Sequence, residues 1–122
     1  MNDITLPLIQ NRTPWLLLSV VLAATIAALT LMPQASMPVG PQGVDKVYHM
    51  AAFAALIFPT ALLRPKWCLR FGCLAILYGG IIEAIQPVFG RSADMSDFWA
   101  DGLGVAMGIF LGLVVRRIFF ER

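Results

Sequence analysis

Charged residues along this chain are confined to short clusters, and long apolar runs separate them. From Thr13 to Val44 there is no charge at all, and Trp15 to Leu31 is almost wholly apolar. A membrane helix needs about 20 apolar residues, with about 17 as the lower edge, so 13–32 predicts a first span. Pro14 suits its first turn. Pro33, Pro38, Gly40, Pro41 and Gly43 then predict a loop. A second span is expected over 45–63, with Asp45 as its N-cap, a bend at Pro59, and Arg64-Pro65 at its end. A third runs over 67–86 and stops at Pro87. The fourth covers 97–116, capped by Ser96 or Asp97 and closed by Arg116 and Arg117. The expected fold class is all-α: an integral membrane bundle of four transmembrane helices, forming one domain over 1–122.

Composition agrees with that pattern. Of the 122 residues, 59% are apolar and 13% charged, where an ordinary globular chain carries about a quarter charged residues. The mean hydropathy is +0.79. A net charge of +2 is too small for an electrostatic footprint on nucleic acid. Two cysteines, Cys68 and Cys73, make no disulfide framework and read as inert thiols. The first run reads as a retained helix, because its apolar core exceeds that of a signal peptide and no small-x-small cleavage site follows.

The basic residues set an orientation, since short loops rich in Lys and Arg stay cytoplasmic. Arg12, Arg64, Lys66, Arg70, Arg116, Arg117 and Arg122 fall on one side, and only Lys46 and Arg91 on the other. Both termini are therefore expected in the cytoplasm of a bacterial inner-membrane protein. Trp15 and Trp67 would sit in the inner aromatic belt, Tyr48 and Trp99 in the outer one. The acids show the opposite bias: Asp45, Glu83, Asp94, Asp97 and Asp101 all belong to the outer side. His49 lies one turn, about 6 Å, below Asp45; Glu83 and Asp101 lie at a similar depth on the third and fourth helices. Ionisable groups within a membrane normally face the bundle interior or a wet cleft and mark function.

Asp45 and His49 are four apart and share a helix face, as do Glu83 and Gln86 at a spacing of three. The bland readings are an N-cap with a bonded histidine, and a structural ion pair between Glu83 and Arg91. Lys46 could simply snorkel to the head groups, and Gln86 at a helix end suits a crosslink. Asp101 is too deep to be a cap. Gly104, Gly108 and Gly112 form a small-residue stripe for close packing against a helix of the same molecule or of a second copy.

The order D-K-x-x-H at Asp45–His49, E-x-x-Q at Glu83–Gln86, R-S at Arg91, and S-D-x-x-x-D-x-x-G from Ser96 to Gly104 resembles the VanZ-like family. The resemblance covers 44–112. The family's last acidic position is often Asn and sometimes Asp; here it is Asp101. The namesake is associated with low-level teicoplanin resistance in Gram-positive bacteria, a property that does not transfer with the fold.

Two functions are compatible with these residues. In the first, the outward-facing polar cluster binds a lipid or cell-envelope head group in an accessory role. In the second, the protein is a membrane-embedded enzyme acting on a lipid or envelope precursor. There His49, Glu83 and Asp101 are the candidate catalytic groups, and Asp45, Lys46, Gln86, Arg91, Ser96 and Asp97 the candidate substrate-binding ones. No cofactor is implied and no metal site is assigned, although His49, Glu83, Asp97 and Asp101 offer a donor set acceptable to zinc or manganese in a catalytic variant. Membrane lipids are the expected partners, nucleic acid is not, and the glycine stripe offers a route to a homo-oligomer.

Overall fold

A computed structural model describes residues 12–33, 40, 41 and 43–121. Within them the chain forms four long helices: α1 (Arg12–Thr30), α2 (Val44–Leu63), α3 (Cys68–Ile85) and α4 (Met95–Phe119). A single 3-10 turn, Pro65–Trp67, leads into α3, and another, Gln86–Phe89, leads out of it. All four segments are long and apolar enough to cross a membrane. No strand occurs among the described residues. The loop expected after Pro33 lies largely outside the described residues.

The helix starts differ from the sequence expectation. Asp45 does not cap α2. Gly43 occupies that position with φ +84°, a left-handed conformation open to glycine, and Asp45 falls in the first turn. Its carboxylate there still meets the positive end of the helix dipole. Likewise neither Ser96 nor Asp97 caps α4. Asp94 does, accepting the Ser96 N–H at 2.9 Å, and the helix begins two residues earlier than expected. Pro59 lies within an unbroken α2.

The helices pack as an up-down bundle with α2 in its middle, most extensively against α4. The glycine stripe explains that closeness. A Cβ on Gly104 would collide with the Met50 carbonyl, and one on Gly108 with the Ala54 carbonyl and, at 2.5 Å, with Ile57. One on Gly112 would come within 2.5 Å of Ala61. The stripe thus packs against α2 of the same molecule. Phe53, Ile57, Ala75, Ile82 and Val105 form the core, with Ile26 reaching in from α1.

Helix α1 is held differently. Only Trp15 and Ile26 of it are buried, and polar bonds pin it along its length, among them three to α2, α3 and the turn after α3. Trp15 Nε1 donates to Thr60 Oγ1 at 2.9 Å, the Tyr78 hydroxyl donates to the Ala23 carbonyl, and Gln86 Nε2 donates to the Thr30 carbonyl at 3.1 Å. Trp15 is therefore turned into the bundle, not out to a head-group belt; its indole N–H finds its acceptor on α2. Tyr48, Trp67 and Trp99 are exposed.

Candidate functional site

The start of α2, the end of α3 and the start of α4 meet at one end of the bundle. His49 is buried there, and its Nδ1 lies 2.8 Å from Oδ1 of Asp101, itself fully buried. An ionised carboxylate only accepts, so Nδ1 carries the proton and donates. That leaves Nε2 facing the other way, 3.8 Å from Oδ2 of Asp97. Gly79 makes the arrangement fit: a Cβ there would stand 2.7 Å from Asp101 Oδ2 and 3.3 Å from the Phe53 ring.

Glu83 completes the group from α3. Its Oε2 accepts the backbone N–H of Asp94 at 2.9 Å, which ties the end of α3 to the entry of α4. Its Oε1 is buried and has no hydrogen-bond partner among the described residues, as have Asp97 Oδ1 and Asp101 Oδ2. One ligand atom each from His49, Glu83 and Asp97 lies within 4.8 Å of the others. Asp97 Oδ1 faces Lys46 at 3.6 Å; buried polar atoms are nearly always paired, so the two remaining open oxygens, Glu83 Oε1 and Asp101 Oδ2, are unusual.

Lys46 bridges the rim. Its Nζ lies 3.3 Å from Asp94, 3.6 Å from Asp45 and 3.6 Å from Asp97, so it pairs with these acids where snorkelling was expected. The Ser96 hydroxyl and N–H, and then Lys46, hold the Asp94 carboxyl down at about 2. Ser96 serves that cap through its Oγ, 2.6 Å from Asp94 Oδ1. A groove of about 520 Å³ between α3 and α4 reaches Glu83, walled by Gly80, Ala84, Met95 and Phe98.

His49, Glu83, Asp97 and Asp101 are thus brought together, with Lys46 and Asp45 at the rim. Arg91 is not. Its Nη1 donates to the Leu29 carbonyl at 3.3 Å, and the expected ion pair with Glu83 does not form. Gln86 is 1% exposed and ties the turn after α3 to the end of α1, bonding no member of the cluster among the described residues. Sequence reasoning missed Asp94, which caps α4, pairs with Lys46 and anchors Glu83. It also missed Gly79, although its spacing of four from Glu83 placed it on the same face.

A bundle of four apolar helices with a buried histidine–carboxylate cluster at one end is a multi-pass membrane protein built around a polar site. The chain belongs to the VanZ/LLP1 family, whose model matches residues 4–116. That match extends through α1 as well as the three helices that carry the motif. Comparison with curated proteins and with solved structures gives no match.

Proposed function

We propose that this protein binds a lipid or cell-envelope head group at the cluster, in an accessory or binding role. The supporting observation is the unpaired Oε1 of Glu83, a side chain only 8% exposed, on the wall of the groove between α3 and α4. A buried carboxylate oxygen without a partner costs about 1–3 kcal/mol or more, and a bound polar group would recover it. The apolar walls of the groove, Phe98, Met95 and Ala84, suit the upper part of an acyl chain beside the head group. The membrane is the bacterial cytoplasmic one, with the cluster on its outer side and both termini in the cytoplasm, by the distribution of Lys and Arg.

The His49–Asp101 pair favours a second reading, catalysis. A histidine oriented through Nδ1 by a buried carboxylate, with Nε2 free to act, is the arrangement a general base needs. The two readings separate on turnover of a bound lipid.

The test is native mass spectrometry of the purified chain after exchange into a bacterial polar lipid extract. Wild type should retain a lipid that Glu83→Gln loses while its helical content stays normal. Equal retention of the same lipids by both proteins overturns the binding reading. Accumulation of an altered lipid by wild type and not by His49→Ala supports the catalytic one.

A further inference from the structure

Charge limits what the cluster can hold. Asp45, Glu83, Asp94, Asp97 and Asp101 crowd one end of the bundle, and among the described residues Lys46 and His49 are the groups that pair with them; Arg91, at the same end, is turned to the Leu29 carbonyl. Lys46 sits at the rim among Asp45, Asp94 and Asp97, while Glu83 and Asp101 make no ion pair with a lysine or arginine among the described residues. Concentrating carboxylates in a low-dielectric end of a membrane protein is costly unless positive charge joins them. An anionic head group alone would deepen the imbalance. A cation in the interior would offset that charge.

We propose that the interior of the cluster is a binding site for a divalent transition-metal ion, of the zinc or manganese class. The ligands are His49 Nε2, Glu83 Oε1 and an Asp97 carboxylate oxygen. One ligand atom from each of the three residues lies within 4.8 Å of the others, and His49 Nε2 is 3.8 Å from Asp97 Oδ2. Coordination at about 2.0–2.2 Å requires them to draw in by roughly 1 Å, within the reach of side-chain torsions alone. Glu83 and Asp97 are both more than nine-tenths buried; Glu83 Oε1 has no hydrogen-bond partner among the described residues, and Asp97 turns Oδ2 toward His49 Nε2 at 3.8 Å while its Oδ1 faces Lys46 at 3.6 Å.

Asp101 holds a different place. It binds His49 through Nδ1 at 2.8 Å and so fixes the ring with Nε2 toward Asp97. A carboxylate behind a histidine in this way orients a metal ligand and raises its basicity. This accounts for an acid buried completely at a depth where a cap or surface charge has no use. The imidazole favours a transition metal over magnesium or calcium, which take all-oxygen shells. Three protein ligands leave a coordination position open on the side of Glu83 and the groove. A phosphate or carboxylate of a head group would fill it, so that the metal converts an anion-repelling site into an anion-accepting one. The inference deepens the head-group reading at the same cluster but does not need it to be correct.

The experiment uses the full chain in detergent, free of added lipid, with zinc chloride or manganese chloride as the only probe. After incubation and dialysis, wild type should keep about one equivalent of metal by elemental analysis. Its melting temperature should rise with metal and fall back on adding chelator. Glu83→Gln and Asp97→Asn should each lose the retained metal. Asp101→Asn should weaken binding about 10- to 100-fold, while Glu121→Gln, at the opposite end of the molecule, should bind as wild type does. Should a ligand variant fail to fold, the visible spectrum of cobalt-loaded wild type reports the same shell without any substitution. Folded wild type that retains no metal and shows no thermal shift overturns the inference. So does metal kept equally by wild type, Glu83→Gln and Asp97→Asn. Metal retained without any lipid partner leaves the metal site standing and removes the head-group reading. Lipid retained by protein that keeps no metal does the reverse.

Discussion

At the scale of single residues, the informative contact is the 2.8 Å bond between His49 and Asp101, both buried. Replacing Asp101 by Ala strands the ring N–H of His49 away from water, and such orphaning costs about 1–3 kcal/mol. Asp101→Asn keeps an oxygen that can accept the same bond. The alanine variant should therefore melt several degrees below wild type in detergent, with the asparagine variant between them. Equal melting temperatures for Ala and Asn would show that the bond is not what makes the residue matter. The acids and the histidine were legible in the sequence because helical spacing converts position into depth, and Asp45/His49 and Asp97/Asp101 each step one turn inward. Arg91 was not, since it follows Gly90, whose φ of +75° turns the chain and whose geometry no helical period encodes. The arginine consequently leaves toward the Leu29 carbonyl of α1. The cap of α4 was misread for a similar reason. Three polar residues crowd Asp94–Asp97, and only the helix register decides that Asp94 accepts the Ser96 N–H.

Among the helices themselves, α4 against α2 is the contact on which the site depends, because it sets Asp97 and Asp101 opposite His49. In lipid, helices associate through close packing more than through hydrophobic burial, and Gly104, Gly108 and Gly112 supply it. Gly108→Ala should separate the two helices, since the new Cβ meets the backbone of Ala54 and, at 2.5 Å, Ile57. Overpacking of this kind typically costs about 1–3 kcal/mol, and a backbone obstacle can yield less than a side chain can. Gly102→Ala is the internal control, with nothing within 4 Å of its added Cβ. Gly108→Ala should lower the melting temperature and loosen the cluster, while Gly102→Ala should leave both unchanged or improve α4 slightly by helix propensity. A spacing of four small residues revealed the stripe in the sequence. Its partner helix was not legible, because α1, α2 and α3 all carry small residues and only the assembled bundle selects Met50, Ala54 and Ala61 as neighbours. The polar pinning of α1 was hidden as well: Trp15 reads as a membrane-belt aromatic until its acceptor, Thr60, is placed beside it, and no spacing in the sequence brings the Tyr78 hydroxyl to the Ala23 carbonyl.

For the molecule as a whole, the two ends have opposite character, and this governs how it sits in a bilayer. At one end Arg116 donates to the Leu62 carbonyl at 2.8 Å, Arg64 lies 6.0 Å from the Trp15 ring, and Arg70 lies 5.0 Å from that of Trp67. The start of α1, the turn between α2 and α3, and the end of α4 therefore gather their cations together. The carboxylate cluster occupies the far end. The four spans carry the chain back to the side on which α1 began, so a single rule fixes both termini at once. Lys and Arg in short loops are retained in the cytoplasm while acids contribute little, and this predicts the basic end inside and the cluster outside. A phosphatase fusion at Gly43 should be active, and a fluorescent-protein fusion at Arg122 should fluoresce. Substituting Arg64, Lys66 and Arg70 together by Gln should blur the result at Gly43, because the α2–α3 turn then loses its retention signal. A cytoplasmic signal at Gly43 in the unmutated chain, or a periplasmic one at Arg122, would invert the molecule. The cluster would then face cytoplasmic head groups and ions, and an envelope ligand on the outer leaflet could no longer reach Glu83.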